Sequence, residues 1–205
     1  MEARSFPHAP LAPWAEIVPG RGPMTVDDLE QLPPDGWQYE LVEGVLVRMP
    51  PSGFEASTIA LILGSALLSF VQTSGLGRVT GEQGGYILDP IHPHDTEVAP
   101  DVGFVQASRV PPRASPAYAK AFLGAPDLAV EVASPTQYHP AMDAKARLYL
   151  GAGTRLVWVI WPRYQQVDVW HPGATARTKT LGIDDTLDGE DVVPGFTLPV
   201  ATLFS

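Results

Sequence analysis

The chain has 205 residues, no cysteine, and 13 basic against 23 acidic side chains, a formal net charge of −10. Without cysteine there are no disulfides and no thiolate-held zinc or iron–sulfur cluster. The acidic balance argues against gripping nucleic acid by bulk charge, because neutralising phosphates takes Lys and Arg.

Hydrophobic residues make up 45% and charged residues 18%, the balance of a globular chain, and the length suits one domain with a real core. No basic-then-apolar leader opens the sequence. The longest apolar run, 59–71, is interrupted by Gly64, Ser65 and Ser69. It falls short of the about 20 residues that span a bilayer. A cytoplasmic protein without a membrane partner is expected.

Residues 1–23 carry Pro7, Pro10, Pro13, Pro19 and Pro23, so the segment cannot hold a helix and reads as an extended arm. Phe6, Trp14 and Ile17 would pack it on the body or on a second subunit; otherwise it is a loose tail. The main domain is expected over 24–205. Thr25 is a plausible N-cap for a short helix with Asp27 and Asp28 in its first turn. Gln38–Met49 reads as a hairpin about Glu43-Gly44, with Glu40 in its first arm. Phe54–Thr73 has helical apolar spacing, and Gly75 and Gly77 end it. Strands are expected at 78–80, 86–88, 102–105, 128–133, 154–161, 166–170 and 175–181. A helix after Ser134-Pro135 has Ala141, Ala144, Leu148 and Leu150 as its apolar side. The whole reads as α/β with one mixed sheet flanked by helices.

The stretch that carries chemistry is 125–149. Leu128-Ala129-Val130 and Val132-Ala133 form a buried strand around one carboxylate, Glu131, which is costly unless paired or bound to a cation. Asp101 opens another strand. Carboxylates on adjacent strands, with the carbonyl of Val132, can hold a divalent cation, and Lys145 on the following helix can neutralise charge or orient water. Such a set performs metal-assisted hydrolysis. The competing reading is a buried Lys145–Glu131 salt bridge with Asp101 capping a turn. Asp127 reads as a turn residue. His92, His94 and Asp95 form either a transition-metal pair or an exposed Pro-rich loop. His139 and His171 are isolated. Trp158, Trp161 and Trp170 are core residues or stacking platforms.

In order, the segments Tyr39-Glu40-Leu41-Val42-Glu43-Gly44, Pro100-Asp101-Val102, Pro126 to Val132 with Ser134-Pro135, Asp143, Lys145, Tyr149, Gly153, Val157 to Ile160, and Pro194-Gly195-Phe196 resemble the Uma-type family of restriction endonucleases, within the PD-(D/E)XK nuclease superfamily. The resemblance spans roughly 24–204. It implies a restriction-endonuclease-like fold and a metal-dependent DNA endonuclease that uses Mg²⁺ or Mn²⁺. It makes Glu40 the first acid, Asp101 and Glu131 the metal-binding acids with Val132, and Lys145 the lysine that the superfamily usually carries at the position of Ala133. Glu43 stays an alternative to Glu40. Phe54-Glu55-Ala56-Ser57 stands where many members have a histidine. Duplex cleavage by two sites makes a homodimer the expected assembly. The competing function is a non-catalytic dimeric binding or regulatory module on a nuclease scaffold.

Overall fold

The computed structural model describes residues 12–88 and 95–205. In chain order its elements are β1 (Glu16–Ile17), α1 (Val26–Glu30), β2 (Gln38–Val42), β3 (Val45–Met49), α2 (Phe54–Ser74), β4 (Gly77–Gly81), β5 (Tyr86–Ile87), β6 (Glu97–Val98), β7 (Val102–Gln106), β8 (Phe122–Leu123), β9 (Leu128–Val132), α3 (His139–Gly151), β10 (Leu156–Trp161), β11 (Gln166–Trp170), β12 (Lys179–Leu181), β13 (Thr186–Asp188) and β14 (Thr197–Pro199).

The local rules that start and stop these elements are visible in the side chains. Thr25 caps α1 in a box with Asp28, each side chain taking up the other's backbone N–H. Glu43 and Gly44 turn β2 into β3 with φ of 49° and 77°, the left-handed pair of a two-residue hairpin turn. Gly75 ends α2 in the left-handed conformation, with φ of 67°.

The fold is α/β, as the patterning predicts, but the expected single sheet is two. One runs β12-β11-β10-β9-β7-β4, the other β1-β3-β2-β6-β5-β8, with β13-β14 a separate pair. In the first, β9 and β10 are parallel, joined through α3, and the remaining neighbours are antiparallel. The second sheet is built partly from two-residue strands, too short to leave an alternating pattern in the sequence.

The larger sheet is covered on both faces. One face packs on α2 and the C-terminal segment through Phe104, Leu128, Val130, Trp158, Leu187 and Phe196. The other packs on α3 and the second sheet through Ala129, Ala133, Val157, Val159, Val42 and Val98. Strands buried on both sides read as near-continuous apolar runs, which is why Leu156–Trp161 shows no alternation. Trp158, Trp161 and Trp170 are all core residues.

Two expectations need correction. The buried face of α3 is Ala141, Met142, Lys145, Ala146 and Tyr149, not the side marked by Ala144, Leu148 and Leu150, which are only partly buried. Gly77 does not end α2; it opens β4. The apolar helix is also longer than the run 59–71: 21 residues, long and apolar enough to cross a bilayer by length and composition. Ile59, Leu63, Leu67 and Val71 nonetheless belong to the core cluster under the sheet.

Gly77 packs so tightly on β7 that a Cβ there would stand 2.0 Å from the Val105 carbonyl oxygen. Gly77→Ala is expected to cost about 1–3 kcal/mol in chemical denaturation. Gly53→Ala, with no atom within 4 Å of the added Cβ, should stay within about 0.5 kcal/mol of the parent.

Candidate active site

Alternation along β9 sends Leu128, Val130 and Val132 toward α2 and Ala129, Glu131 and Ala133 toward α3. Glu131 therefore enters an interior lined with apolar groups. A buried carboxylate without partners costs several kcal/mol, and α3 supplies two partners one turn apart. Lys145 Nζ lies 3.0 Å from Glu131 Oε1 and 3.1 Å from Oε2. Tyr149 donates its hydroxyl to Oε1 at 2.8 Å.

The second sheet brings Glu40 on β2 to the same lysine. Glu40 Oε1 lies 3.1 Å from Lys145 Nζ and accepts the Ala99 N–H at 3.1 Å. Its Oε2 accepts the indole N–H of Trp14 at 2.9 Å. The ammonium is thus held between two buried carboxylates, one from each sheet. Glu43, the alternative to Glu40, sits exposed in the hairpin turn.

Asp101 reaches the cluster through the antiparallel pairing of β7 and β9, which sets the start of one strand beside the end of the other. Its Oδ2 accepts the Val132 N–H at 2.6 Å. Asp101 is half-buried and, with Ser57 and Leu61 of α2 and Glu82 of the β4–β5 turn, lines a cavity of about 300 Å³.

The arm covers the cluster from outside. Ala12 and Trp14 are buried in the α3-side core. β1 pairs with β3, and Glu16 makes a two-pronged contact with Arg48 at 3.0 and 3.1 Å. Trp14 roofs Glu40, and Lys145 Nζ lies 5.9 Å from its ring centroid.

Burial dominates the electrostatics. It pushes Glu131 up to about 8, with Lys145 opposing and Asp101 and Glu40 adding to the rise. Asp101 rises to about 6, again by burial, opposed by the Val132 N–H and Lys145. Burial alone would lower Lys145, but Glu131, Glu40 and Asp101 outweigh it and raise its pKa. Burial and then the Glu131 charge hold the Tyr149 hydroxyl protonated.

The available donors are the carboxylates of Asp101, Glu131 and Glu40 and the carbonyls at the end of β9. Such hard oxygens suit Mg²⁺ or Mn²⁺ in chemistry. Among the described residues no group of three or more His, Asp or Glu forms a ready-made metal cage, and Lys145 occupies the middle of the acids.

Other candidates fall elsewhere. Asp127 is more than a turn residue: it is buried, pairs with Arg109 at 3.0 Å and accepts the Gln106 N–H. His171 contacts Thr178 and Glu190 at the surface. His92 and His94 lie outside the described residues. Three neighbours of the acids carried no assigned role in the sequence: Trp14, Tyr149 and Glu82, which accepts hydrogen bonds from Gln38 and Ser52. Tyr149 was legible as the residue four beyond Lys145 on one helical face; Glu82, in a Gly-rich turn, leaves no such signal.

A carboxyl with a folded pKa above its ordinary value keeps a proton that the unfolded chain has lost, so stability falls as pH rises between the two values. That window runs from 4.5 to about 8 for Glu131 and from 3.8 to about 6 for Asp101. Metal-free protein is expected to melt higher at pH 5 than at pH 8, and Glu131→Gln should flatten the slope between pH 6 and 8. A melting temperature that climbs over this range would contradict the assignment.

Comparison with known proteins bears on the same residues. The family model "Uma2: Putative restriction endonuclease" matches residues 26–201, a span that contains Glu40, Asp101, Glu131 and Lys145. No curated protein matches the chain. Among solved structures, the crystal structure of "a putative nuclease belonging to DUF820" from Anabaena variabilis ATCC 29413 superposes with a TM-score of 0.74 at 25% identity, covering 89% of this chain and 98% of that one. With the match running from the first turn of α1 almost to the C-terminus, the chain belongs to the Uma2 family and has a restriction-endonuclease-like nuclease fold.

Proposed function

We propose that the protein is a divalent-metal-dependent endonuclease that hydrolyses phosphodiester bonds in DNA. The observation that carries this reading is the convergence on Lys145 of acids from both sheets, with Asp101 tied to the strand that bears Glu131. Asp101 and Glu131, with the Val132 carbonyl and Glu40 assisting, would hold Mg²⁺ or Mn²⁺. When bound, such an ion lowers the pKa of water and offsets charge on the phosphate.

The chain's own groups divide the remaining work. Lys145, kept cationic by its carboxylates, stabilises negative charge on a phosphate oxygen and does not serve as a base. Tyr149 fixes the orientation of Glu131 by donating to Oε1. Trp14 closes the arm side of the cluster against water and holds Glu40 in place. The helix-borne ammonium meets Glu131 from α3, while Ala133, buried on the same face of β9, leaves room for it.

Wild-type protein is expected to cut plasmid DNA with Mg²⁺ or Mn²⁺. Asp101→Asn and Glu131→Gln should lose the activity by at least about a hundredfold while keeping the wild-type circular dichroism spectrum. If wild-type protein cuts neither DNA nor RNA with either ion, the non-catalytic binding module replaces this reading. The full engagement of both Glu131 oxygens by Lys145 and Tyr149 is the feature that favours that alternative.

The working form in this proposal is a homodimer joined through α2. Phe54, Leu61 and Leu68, seven residues apart on one helical stripe, expose 90%, 70% and 40% of their surface. Glu55 is the sole charged residue in the helix. Two copies that each carry −10 repel over most of their surface, and this nearly uncharged face is where a second copy can approach. Light scattering across a concentration series should give a dimer, and Leu61→Glu a monomer. A wild-type monomer at every concentration contradicts the assembly.

A further inference from the structure

A second cavity, of about 650 Å³, opens at the C-terminal ends of the parallel strands β9 and β10. Open α/β sheets bind their ligands at that edge, and the volume is that of a small-molecule site. The cavity borders the acidic cluster. Ala133 lines it two residues beyond Glu131 on the same face of the strand, and Gln137 lines it while reaching the Trp14 carbonyl at 3.5 Å.

Four rings, those of Tyr138, His139, Trp161 and Tyr164, line it. Tyr138 and Tyr164 expose 55% and 51% of their surface. His139 lies against Trp161 with ring centroids 4.0 Å and planes 40° apart, and stacks on Tyr164 at 5.9 Å with planes 14° apart. Buried Asp168 locks this array from behind. Its Oδ2 accepts from Trp161 Nε1 at 2.8 Å and from Arg177 at 2.9 Å, and Arg177 lies 3.0 Å from His139 Nδ1. The charged groups on the wall itself are Arg163 and Glu55.

We infer that this cavity receives an unstacked nucleobase of the nucleic acid whose backbone enters the acidic cluster. The inference rests on the nuclease reading and names its substrate: a nucleotide presented with its base out of the helical stack. Flat, exposed rings match a base face, and stacking tolerates any base because each has one. Arg163 offers the adjacent phosphate a cation. A net charge of −10 argues against holding a duplex by many phosphate contacts. Stacking supplies binding that does not depend on bulk charge. The base comes from a single strand or is extruded from a duplex.

The test is binding of a single-stranded DNA hexamer containing 2-aminopurine, measured in EDTA so that nothing is cut. Wild-type protein should quench the probe. Tyr138→Ala and Tyr164→Ala should each weaken binding by about tenfold, whereas Tyr164→Phe, which keeps the ring, binds as wild type. A hexamer of abasic sites keeps the phosphates and should bind at least about tenfold more weakly than the parent. A blunt duplex against the same duplex with a central mismatch separates the two sources of the base: preference for the mismatch indicates extrusion, and binding of the single strand alone indicates the other.

Equal binding of the abasic hexamer, unchanged binding by both alanine variants, or no binding by wild type overturns the inference. Hydrolysis of methyl p-nitrophenyl phosphate with Mn²⁺ involves no nucleobase and reports on the acidic cluster alone. Loss of base discrimination with hydrolysis intact therefore sinks the cavity assignment only, and absent hydrolysis with base discrimination intact sinks the nuclease reading only.

Discussion

One buried ammonium ties the two sheets together. Lys145 arrives from α3, meets Glu131 on the larger sheet and Glu40 on the smaller, and is buried with both. Breaking one partner of such a buried pair typically costs about 3–5 kcal/mol, because the remaining charge is left uncompensated. The arrangement is therefore costly to perturb from any side: Tyr149 and the Ala99 N–H add second donors to Glu131 Oε1 and Glu40 Oε1, and the Trp14 indole N–H takes Glu40 Oε2. The salt bridge that competes with the metal-site reading is present in the fold. It does not exclude that reading, since the same charges that stabilise a lysine in a dry interior can also prepare a site for a cation and a phosphate.

The topology explains why these groups meet although they are scattered along the chain. The parallel β9–α3–β10 unit puts the helix over the face that bears Glu131. Antiparallel β7 returns Asp101 to the end of β9. The β2–β3 hairpin and its neighbour β6 lay Glu40 over the same helix face, with β6 ending beside Ala99. The aromatic cavity follows from the same unit, because the loops after β9 and β10 leave the sheet at one edge.

Much of this is legible in the sequence. The lone carboxylate in the apolar run 128–133 marks itself by its cost, and the hairpin about Glu43-Gly44 by its turn chemistry. Proline and glycine punctuation fixed the extent of α2. Asp101, at the start of a strand, and Lys145, on the helix that follows, were legible as partners of Glu131, whereas the role of Glu40 as an acid came from the family resemblance. What escaped did so for physical reasons. Strands of two residues carry no period. The true buried face of α3 contains a lysine and a tyrosine, so an apolar count selects the wrong side. Trp14 sits in a Pro-rich stretch, where only the tertiary contact with Glu40 separates a roof from a loose tail. Glu82 reaches the edge of the Asp101 cavity through a turn that has no pattern of its own.

Whether the acids around Lys145 hold a divalent cation is decided by a crystal structure of the protein soaked in Mn²⁺. The account predicts an anomalous difference peak within coordination distance, about 2.0–2.6 Å, of carboxylate oxygens from both Asp101 and Glu131. A map with no peak beside these residues, at a pH above 8 where both carboxyls are ionised and with the ion in excess, would contradict it.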